Sequence, residues 1–304
     1  MLYRQEIPTI FGKQPQIEWV QGDILDTALL RQIMQTDVDQ VYHCAGLVSY
    51  APQDAGLLKE INVTGTANIV NACLEKPGIK LCHVSSVAAI GQVKGKAYLT
   101  EDTKWDVNMP HSHYASSKYF GELEVWRGIS EGLHAVIVNP SVVLGPAADW
   151  SRSSTQVFKY VYDERRFYTA GSANFVDVRD VVTAMVSLLA TNITAERFIL
   201  NAGLLSYKTF FEQVAGCLQK KAPAVKVPNF LTEVLWRAER VRSFFTSKRP
   251  LITKETARIA KKKHVYSNEK IKSRLNFEFI PLEQTIKWCC RELKQKQTAL
   301  PELR

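Results

Sequence analysis

The chain has 304 residues, of which 46% are hydrophobic and 23% charged, so it can bury a full core, either as one large α/β unit or as a main domain with a smaller second one. This composition excludes a disordered, collagen-like or repeat protein, and no apolar run approaches the roughly 20 residues that a membrane-spanning helix needs. The net charge of +9 is concentrated after residue 219 and includes a lysine run at 261–263. Such a run is typical of a solvated helix face, with an anionic substrate or an acidic partner as alternatives, and no nucleic-acid motif accompanies it.

Six cysteines are spread along the chain without any Cys-x-x-Cys spacing, and most of them stand among apolar residues. The first residues lack the apolar core of a secretory signal. These observations predict reduced core thiols in a cytoplasmic protein, with neither a disulfide framework nor a metal site.

Short apolar runs alternate with helical patterns through the first two thirds of the chain. The pattern predicts strands at 17–20, 40–46, 80–86, 134–140 and 197–201, and helices at 26–34, 56–75 and from Tyr114 onward. This regular alternation of strands and helices predicts a parallel sheet with helices on both faces. After residue 204 the alternation ends, and basic helical stretches predict a cap over the sheet.

Ligands of such sheets bind at the carboxyl ends of the strands. Gly46, Ser86 and the pair Asn139 and Pro140 stand at predicted strand ends. We therefore expect these residues to line one rim.

Tyr114 and Lys118 are four residues apart, so they share one face of a helix. A phenol has a pKa near ~10, and an ammonium one turn away in a partly dry site would lower this pKa by stabilising the phenolate. The hydroxyl of Ser86 can then hydrogen-bond the reacting oxygen. Tyr-x-x-x-Lys by itself is common on helix surfaces. With Ser86, it predicts proton transfer to or from a hydroxyl or carbonyl group while a hydride moves elsewhere.

Six ordered segments resemble the extended short-chain dehydrogenase/reductase family, also called the NAD-dependent epimerase/dehydratase family. They are GDI at 22–24, HCAGL at 43–47, NVTGTAN at 62–68, Ser85 and Ser86 followed by Gly91, NPSVVLGP at 139–146, and FVDVRDV at 175–181. The resemblance implies a Rossmann-type doubly wound parallel sheet with a smaller, mostly helical cap. Residues 1–146 and about 175–203 would form the dinucleotide-binding domain, and about 147–174 and 204–304 the substrate-binding cap.

The resemblance also implies roles for individual residues. Lys118 would bind the nicotinamide ribose, Tyr114 would exchange a proton with the substrate oxygen, and Ser86 would hold that oxygen. The expected cofactor contacts are Arg4, Asp23, Ile24, Cys44, Ala45, Gly46, Asn62, Tyr114, Lys118, Asn139, Pro140 and Val142, and the expected substrate contacts are Ser86 and Asn139.

The family opens with a strand and a G-x-x-G-x-x-G turn at a helix N-terminus, whose amides hold the pyrophosphate. This sequence enters the family pattern at the end of the second strand, with residues 2–4 as its remnant, and its early glycines are Gly12 and Gly22. Without the first strand, the strand at 17–20 is expected to lack its usual neighbours. Either the sequence begins at an internal Met of a longer protein, or it is a truncated relative that has lost cofactor binding. The intact catalytic set favours the first explanation.

Arg4 stands just after the remnant of the second strand. A basic residue there accommodates the 2′-phosphate of NADP, whereas an acidic residue selects NAD. We therefore expect NAD or NADP as the cofactor, with a slight preference for NADP.

Three functions are compatible with the sequence. A reductase or dehydrogenase of the dihydroflavonol-reductase type is slightly favoured, because Val48 stands where some sugar epimerases have a lysine and because Trp150, Phe158 and the stretch 230–245 make the cap apolar. The alternatives are a nucleotide-sugar epimerase or dehydratase, and a catalytically silent binding or regulatory relative. The resemblance further implies a small-molecule substrate and a homodimer that forms through the helices at 56–75 and 114–127.

Overall fold

The structure, a computed structural model, describes residues 1–4, 7, 14–91, 98–147, 150, 153–228 and 264–298. The lysine run at 261–263 and the apolar stretch 230–245 lie outside the described residues.

The described residues form the following strands and helices. The strands are β1 (Leu2–Tyr3), β2 (Val20–Gln21), β3 (Gln40–His43), β4 (Lys80–Val84), β5 (Tyr98–Leu99), β6 (His134–Pro140), β7 (Val142–Leu144), β8 (Phe167–Thr169), β9 (Ser172–Asp177), β10 (Glu196–Leu200), β11 (Gly203–Ser206), β12 (Val225–Val227) and β13 (Val265–Tyr266). The α-helices are α1 (Thr27–Met34), α2 (Ala55–Lys59), α3 (Gly65–Leu74), α4 (His113–Ser130), α5 (Gln156–Tyr162), α6 (Val178–Leu189), α7 (Tyr207–Leu218), α8 (Glu269–Leu275) and α9 (Leu282–Thr298). Short 3₁₀ turns span Pro52–Asp54, Val87–Ala89 and Ser153–Thr155, and Glu60–Thr64 is a π-helix.

A four-stranded parallel sheet in the order β10-β6-β4-β3 forms the centre of the protein. Alternate residues of β6 face opposite sides: Ile137 packs with α3 and α4, while Val136 and Val138 pack with α6 and α8. Both faces are covered, as a parallel sheet requires. The predicted α/β class with a doubly wound parallel sheet is confirmed, and the predicted strand at 134–140 matches β6.

The predicted strand at 17–20 is wrong in its position. The structure has only Val20 and Gln21 in a strand, which pairs in parallel with Leu2 and Tyr3 in a separate two-stranded sheet. The partner strand β1 has only two residues, so it can pair with only two residues of this segment. The Trp19 ring instead packs edge-on against the Tyr3 ring, with centroids 6.1 Å apart. The segment therefore lacks a place in the main sheet, as we expected.

The predicted helix at 56–75 forms, but a wider π-type turn over Glu60–Thr64 divides it. Within this turn, the carbonyl of Asn62 accepts a hydrogen bond from the Thr66 hydroxyl at 2.8 Å. Helix α4 packs directly against the same carbonyl, since a Cβ built on Gly121 would lie 2.4 Å from the Asn62 oxygen. The glycine therefore sets how closely α4, the helix of Tyr114 and Lys118, approaches this turn.

A second hydrophobic cluster lies among α5, α7 and α9. Trp150 and Phe158, which we expected to make the cap surface apolar, are buried inside this cluster and pack edge-on against each other. Asp177 connects α6 to α9, because its carboxylate caps α6 and accepts a hydrogen bond from Thr285 at 2.7 Å.

The stretch around α8 packs against the main sheet, although it lies within the 204–304 region that we assigned to the cap. Ile271 and Phe277 are buried with β6 and β10 residues. The proposed domain boundaries stay a prediction. Among the described residues, no helix combines the length and apolar character that crossing a bilayer requires.

Candidate active site

Tyr114 and Ser86 meet at the carboxyl end of β4. Tyr114 lies in the first turn of α4, which begins after the N-cap Ser112. Tyr114 is 8% exposed, and the Ser86 side chain lies beside its phenol group. Ser86 follows β4 by two residues and caps the 3₁₀ turn Val87–Ala89, where its hydroxyl oxygen accepts a hydrogen bond from the Ala88 amide at 3.1 Å. The structure thus brings together two of the three predicted catalytic residues in direct contact.

Lys118 lies one turn further along α4 and is buried. Its Nζ donates a hydrogen bond to the carbonyl oxygen of Val84, the last residue of β4, at 2.8 Å. A Cβ built on Gly46 would lie 3.7 Å from the same Nζ and 3.3 Å from Asn62 Oδ1. Only a glycine at position 46 leaves the space in front of the ammonium open.

Burial raises the pKa of Tyr114, and the hydrogen bond from Ser86 only partly offsets this effect. The direction is opposite to the lowering that we expected from Lys118. The reason is geometric, because the Lys118 ammonium is directed at the Val84 carbonyl. Burial also lowers the pKa of Lys118 to about 8, while the nearby Glu122 and Cys44 oppose this shift.

Asn62 supports the site from below. Its amide exchanges two hydrogen bonds with the Leu47 backbone, at 2.7 and 2.9 Å, and donates a third to the Ser117 hydroxyl at 2.9 Å. Ser117 in turn donates to the carbonyl of Tyr114 at 2.8 Å. Both amide hydrogens are used within the protein, so Asn62 joins the turn after β3 to α4, and its expected contact with a cofactor stays a prediction.

Asn139, an expected cofactor and substrate contact, is buried in this structure and supports the site, and its contacts with ligands stay a prediction. It is 0% exposed, and its amide nitrogen donates to the Ser86 carbonyl at 3.0 Å and to Glu122. The carboxylate of Glu122 also pairs with Arg197, Oε2 to Nη1, at 3.3 Å. The sequence analysis missed Glu122 and Arg197. The spacing of Glu122, four residues after Lys118, was the available signal.

Two histidines lie side by side under the site. His43 on β3 and His83 on β4 are paired in register, with ring centroids 5.0 Å apart, and both are buried. His43 Nε2 is 2.9 Å from the Thr66 hydroxyl oxygen. Burial lowers the pKa of His43 to about 3 and holds the pKa of His83 well below its usual range, and the Lys118 charge adds to both shifts. Both rings are therefore neutral at physiological pH.

The expected cofactor contacts Asp23 and Ile24 follow β2 closely. Asp23 Oδ1 accepts a hydrogen bond from the Leu25 amide at 3.0 Å, and its Oδ2 is 3.7 Å from Arg4 Nη1. Ile24 is buried against Gly65, and its carbonyl accepts a hydrogen bond from Asn68 at 3.1 Å. The structure therefore brings Arg4 to Asp23 and leaves the Ile24 side chain in the core.

The remaining expected contacts lie on two neighbouring stretches. Cys44 and Ala45 are exposed after β3. Pro140 is buried at the end of β6, and Val142 at the start of β7 is 39% exposed. Within the described residues, no group of three or more His, Cys, Asp or Glu side chains is arranged to hold a metal ion.

Comparisons with known proteins identify the family and the fold. A family model described as "NAD dependent epimerase/dehydratase family" matches residues 2–203. A candidate dihydroflavonol 4-reductase of Synechocystis sp. is 31% identical over 236 residues, which cover 74% of this chain and 67% of the relative. Cinnamoyl-CoA reductase 1 of Petunia hybrida is 24% identical over 294 residues, which cover 94% of this chain and 79% of the relative.

Solved structures show the same fold. The crystal structure of gox2253 matches with a TM-score of 0.81 at 26% identity, covering 97% of this chain and 90% of that chain. A dTDP-glucose 4,6-dehydratase from Bacillus anthracis str. Ames in complex with NAD matches with a TM-score of 0.74 at 17% identity, covering 95% of this chain and 84% of that chain. At this lower identity the likeness concerns the fold alone.

The buried histidines predict a specific loss of stability in acid. In the unfolded chain both have a pKa near ~6.5, so below this pH the unfolded state binds protons that the folded state does not. Each histidine should therefore lower the free energy of unfolding by about 1.4 kcal/mol per pH unit, down to the folded-state pKa. We expect His83→Phe to remove one of the two contributions. The free energy of unfolding of the variant should therefore rise relative to that of the wild type as the pH falls from 6.5 to 5.

Urea unfolding at the two pH values measures this difference. His134→Phe, at the exposed first position of β6, is the control and should keep the wild-type pH dependence. Equal pH dependence in His83→Phe and the wild type would contradict the prediction.

Proposed function

Because this chain belongs to the NAD dependent epimerase/dehydratase family, we propose that it is an NAD(P)-dependent oxidoreductase that interconverts a hydroxyl and a carbonyl group on a small substrate, with Tyr114 as its acid–base residue. A reductase or dehydrogenase of the dihydroflavonol-reductase type is our preferred form. One observation carries the proposal: the Ser86 side chain lies beside the buried phenol of Tyr114, and the Lys118 ammonium is buried one helical turn away.

The residues around this group fit a nicotinamide dinucleotide. Lys118 and Tyr114 would hold the nicotinamide ribose, in the space that Gly46 keeps open, and Asp23 would hold the adenosine end. Such a cofactor, when bound, supplies or accepts the hydride. Solved neighbours of the same fold whose titles include NAD support this assignment.

The side chains can carry out the proton transfer that accompanies reduction of a carbonyl group. The Ser86 hydroxyl would donate a hydrogen bond to the carbonyl oxygen. Tyr114 would then donate its phenol proton to the same oxygen as that oxygen becomes an alkoxide. Burial, which raises the pKa of Tyr114, keeps the phenol protonated until the alkoxide forms. Lys118 would stabilise the resulting phenolate by its charge.

The relatives support the reductase form over the sugar-nucleotide form. The relatives at 31% and 24% identity are a candidate dihydroflavonol 4-reductase and a cinnamoyl-CoA reductase, whereas the solved sugar-nucleotide enzymes have 16% to 18% identity.

An aromatic side chain lies beside the Tyr114 phenol: the Tyr50 ring packs edge-on against the Tyr114 ring, with centroids 5.6 Å apart. An aromatic wall at this position favours an apolar or aromatic part of the substrate.

Tyr114→Phe tests the assignment of the acid–base residue. We expect turnover to fall by about 10² to 10⁴, because the proton donor is lost, while the cofactor still binds through its other contacts, Lys118 and Asp23. Reduction of aromatic and aliphatic ketones and aldehydes, followed through the absorbance of NADPH or NADH, measures the turnover.

Tyr119→Phe on the same helix is the matched control, because Tyr119 stacks on Trp105 at 4.3 Å, away from Ser86. Near-normal turnover by Tyr114→Phe would overturn the assignment. Activity on nucleotide sugars without net cofactor turnover would favour the epimerase alternative.

Arg4→Ala tests the preference for NADP. We propose that Arg4, which is 58% exposed and weakly paired with Asp23, meets the 2′-phosphate. The substitution should weaken NADPH binding by about tenfold through the loss of one charged contact and leave NADH binding unchanged. Fluorescence titration with both nucleotides measures the affinities.

Arg31→Ala, on the exposed face of α1, is the control. Equal changes for the two nucleotides would contradict a role for Arg4 in this preference. If the wild-type chain binds neither nucleotide, the silent-relative alternative gains support.

We also propose a homodimer that forms through α2 and α4. Leu57 on α2, and Phe120 and Leu123 on α4, are 42%, 50% and 42% exposed, and exposed large apolar residues on adjacent helices are typical of an interface. Phe120→Asp should convert the dimer to a monomer in sedimentation velocity, because a carboxylate would be buried without a partner. Val107→Asp, at a loop position that is 79% exposed, should leave the dimer intact. A wild-type monomer would overturn the proposal.

A further inference from the structure

We propose that Glu122 is a positioning residue for the active site: its single buried carboxylate orients Ser86 through Asn139 and supplies the negative charge that faces Lys118. This inference rests on the proposed function for its catalytic meaning, but the contacts that carry it are independent of any substrate.

Glu122 lies between the catalytic helix and the central sheet. Its side chain is 1% exposed, and it follows Lys118 by one turn of α4, so both residues share a face of the helix. Oε1 accepts a hydrogen bond from the Asn139 amide on β6, and Oε2 is 3.3 Å from Arg197 Nη1 on β10. One carboxylate therefore joins α4 to two neighbouring strands.

The first branch of this arrangement reaches Ser86. A carboxylate only accepts hydrogen bonds, so Glu122 forces the amide nitrogen of Asn139, and not its oxygen, to face α4. The second hydrogen of that nitrogen then goes to the Ser86 carbonyl oxygen, at 3.0 Å. The same carbonyl accepts from the Ala89 amide at 3.0 Å, which closes the turn that Ser86 caps. The backbone of Ser86 is thus fixed from two sides while its side chain contacts Tyr114.

The second branch is electrostatic and acts on Lys118. The groups that face Lys118 are His43 on β3, His83 on β4, Cys44 in the following turn and Glu122 on α4. The two histidines are neutral. Burial lowers the pKa of Lys118 to about 8, and Glu122 is the largest influence that opposes this effect. Without the carboxylate, the ammonium would be left in a dry site with little to favour its charged form.

Arg197 balances the charge of Glu122 from the other side. The guanidinium group donates hydrogen bonds to the carbonyl oxygens of Glu101 and Thr103, and the Glu101 carboxylate is itself held by the Ile199 amide at 2.8 Å. Glu122 is therefore the carboxylate that the described structure pairs with Arg197. Arg197 and Lys118 share this one negative charge, and each weakens its effect on the other.

Glu122→Gln separates charge from shape, because the amide oxygen can still accept a hydrogen bond from Asn139. The probe is the titration of Lys118, followed by NMR of protein labelled with carbon-13 lysine and assigned by the spectrum of Lys118→Met. We expect the midpoint of Lys118 to fall by about one pH unit in Glu122→Gln. Glu124→Gln, which removes an ion pair on the same helix but on another face, should leave the midpoint unchanged.

Asn139→Ala tests the branch to Ser86. It keeps the Glu122 charge, so the Lys118 midpoint should stay at the wild-type value while turnover falls about tenfold and cofactor affinity is unchanged. A purely structural role would instead lower stability and activity in both variants without moving the Lys118 titration. An unchanged Lys118 midpoint in Glu122→Gln overturns the claim that the Glu122 charge acts on Lys118. Wild-type turnover in Asn139→Ala overturns the claim that Glu122 orients Ser86 through Asn139.

If Glu122→Gln does not fold, Arg197→Gln tests the effect of the Glu122 charge by removing the ion-pair partner of Glu122. Removing the competing cation should raise the Lys118 midpoint, and an unchanged midpoint would overturn the proposal. The lysine titration needs no substrate. A wild type that reduces nothing would therefore count against the proposed function and leave the test of Glu122 intact.

Discussion

The hydrogen bond between the Lys118 ammonium and the carbonyl of Val84 holds α4, the helix of Tyr114, at the end of β4. Ser86 follows two residues later, so the same contact sets the distance between the strand end and Tyr114 in the first turn of α4. Gly121 lets the helix approach the Asn62 carbonyl, and no larger residue would fit there without movement. The active-site geometry therefore depends on one buried cation and on the close packing of a single helix.

A buried polar layer lies around this cation, between α4 and the central sheet. Asn62, Glu122 and Asn139 all make hydrogen bonds within this layer, and Glu122 adds an ion pair with Arg197. Buried polar groups are costly unless they are paired, so a layer of this kind holds its members in one arrangement. For a proton-transfer site, such rigidity keeps donor and acceptor aligned before the substrate arrives.

The layer keeps both members of the proposed acid–base pair close to their neutral forms. Burial raises the pKa of Tyr114 and lowers the pKa of Lys118 to about 8, so both groups are held closer to their neutral forms than they would be in water. A neutral phenol is ready to donate a proton to a developing alkoxide. This direction agrees with the reductases among the relatives.

Local pattern was sufficient to determine the α/β class, the parallel strand at 134–140, the helix α1 within 26–34 and the position of Tyr114 and Lys118 on one helix face, because these features depend on residues that are close in sequence. Tertiary structure alone decided that the segment at 17–20 leaves the main sheet, and that Asn62 and Asn139 support the site from within. It also decided that Glu122 faces β6 and β10, since Asn139 and Arg197 are 17 and 75 residues away along the chain. Sequence spacing carries no information on such contacts, because they arise only when a helix packs across the ends of several strands.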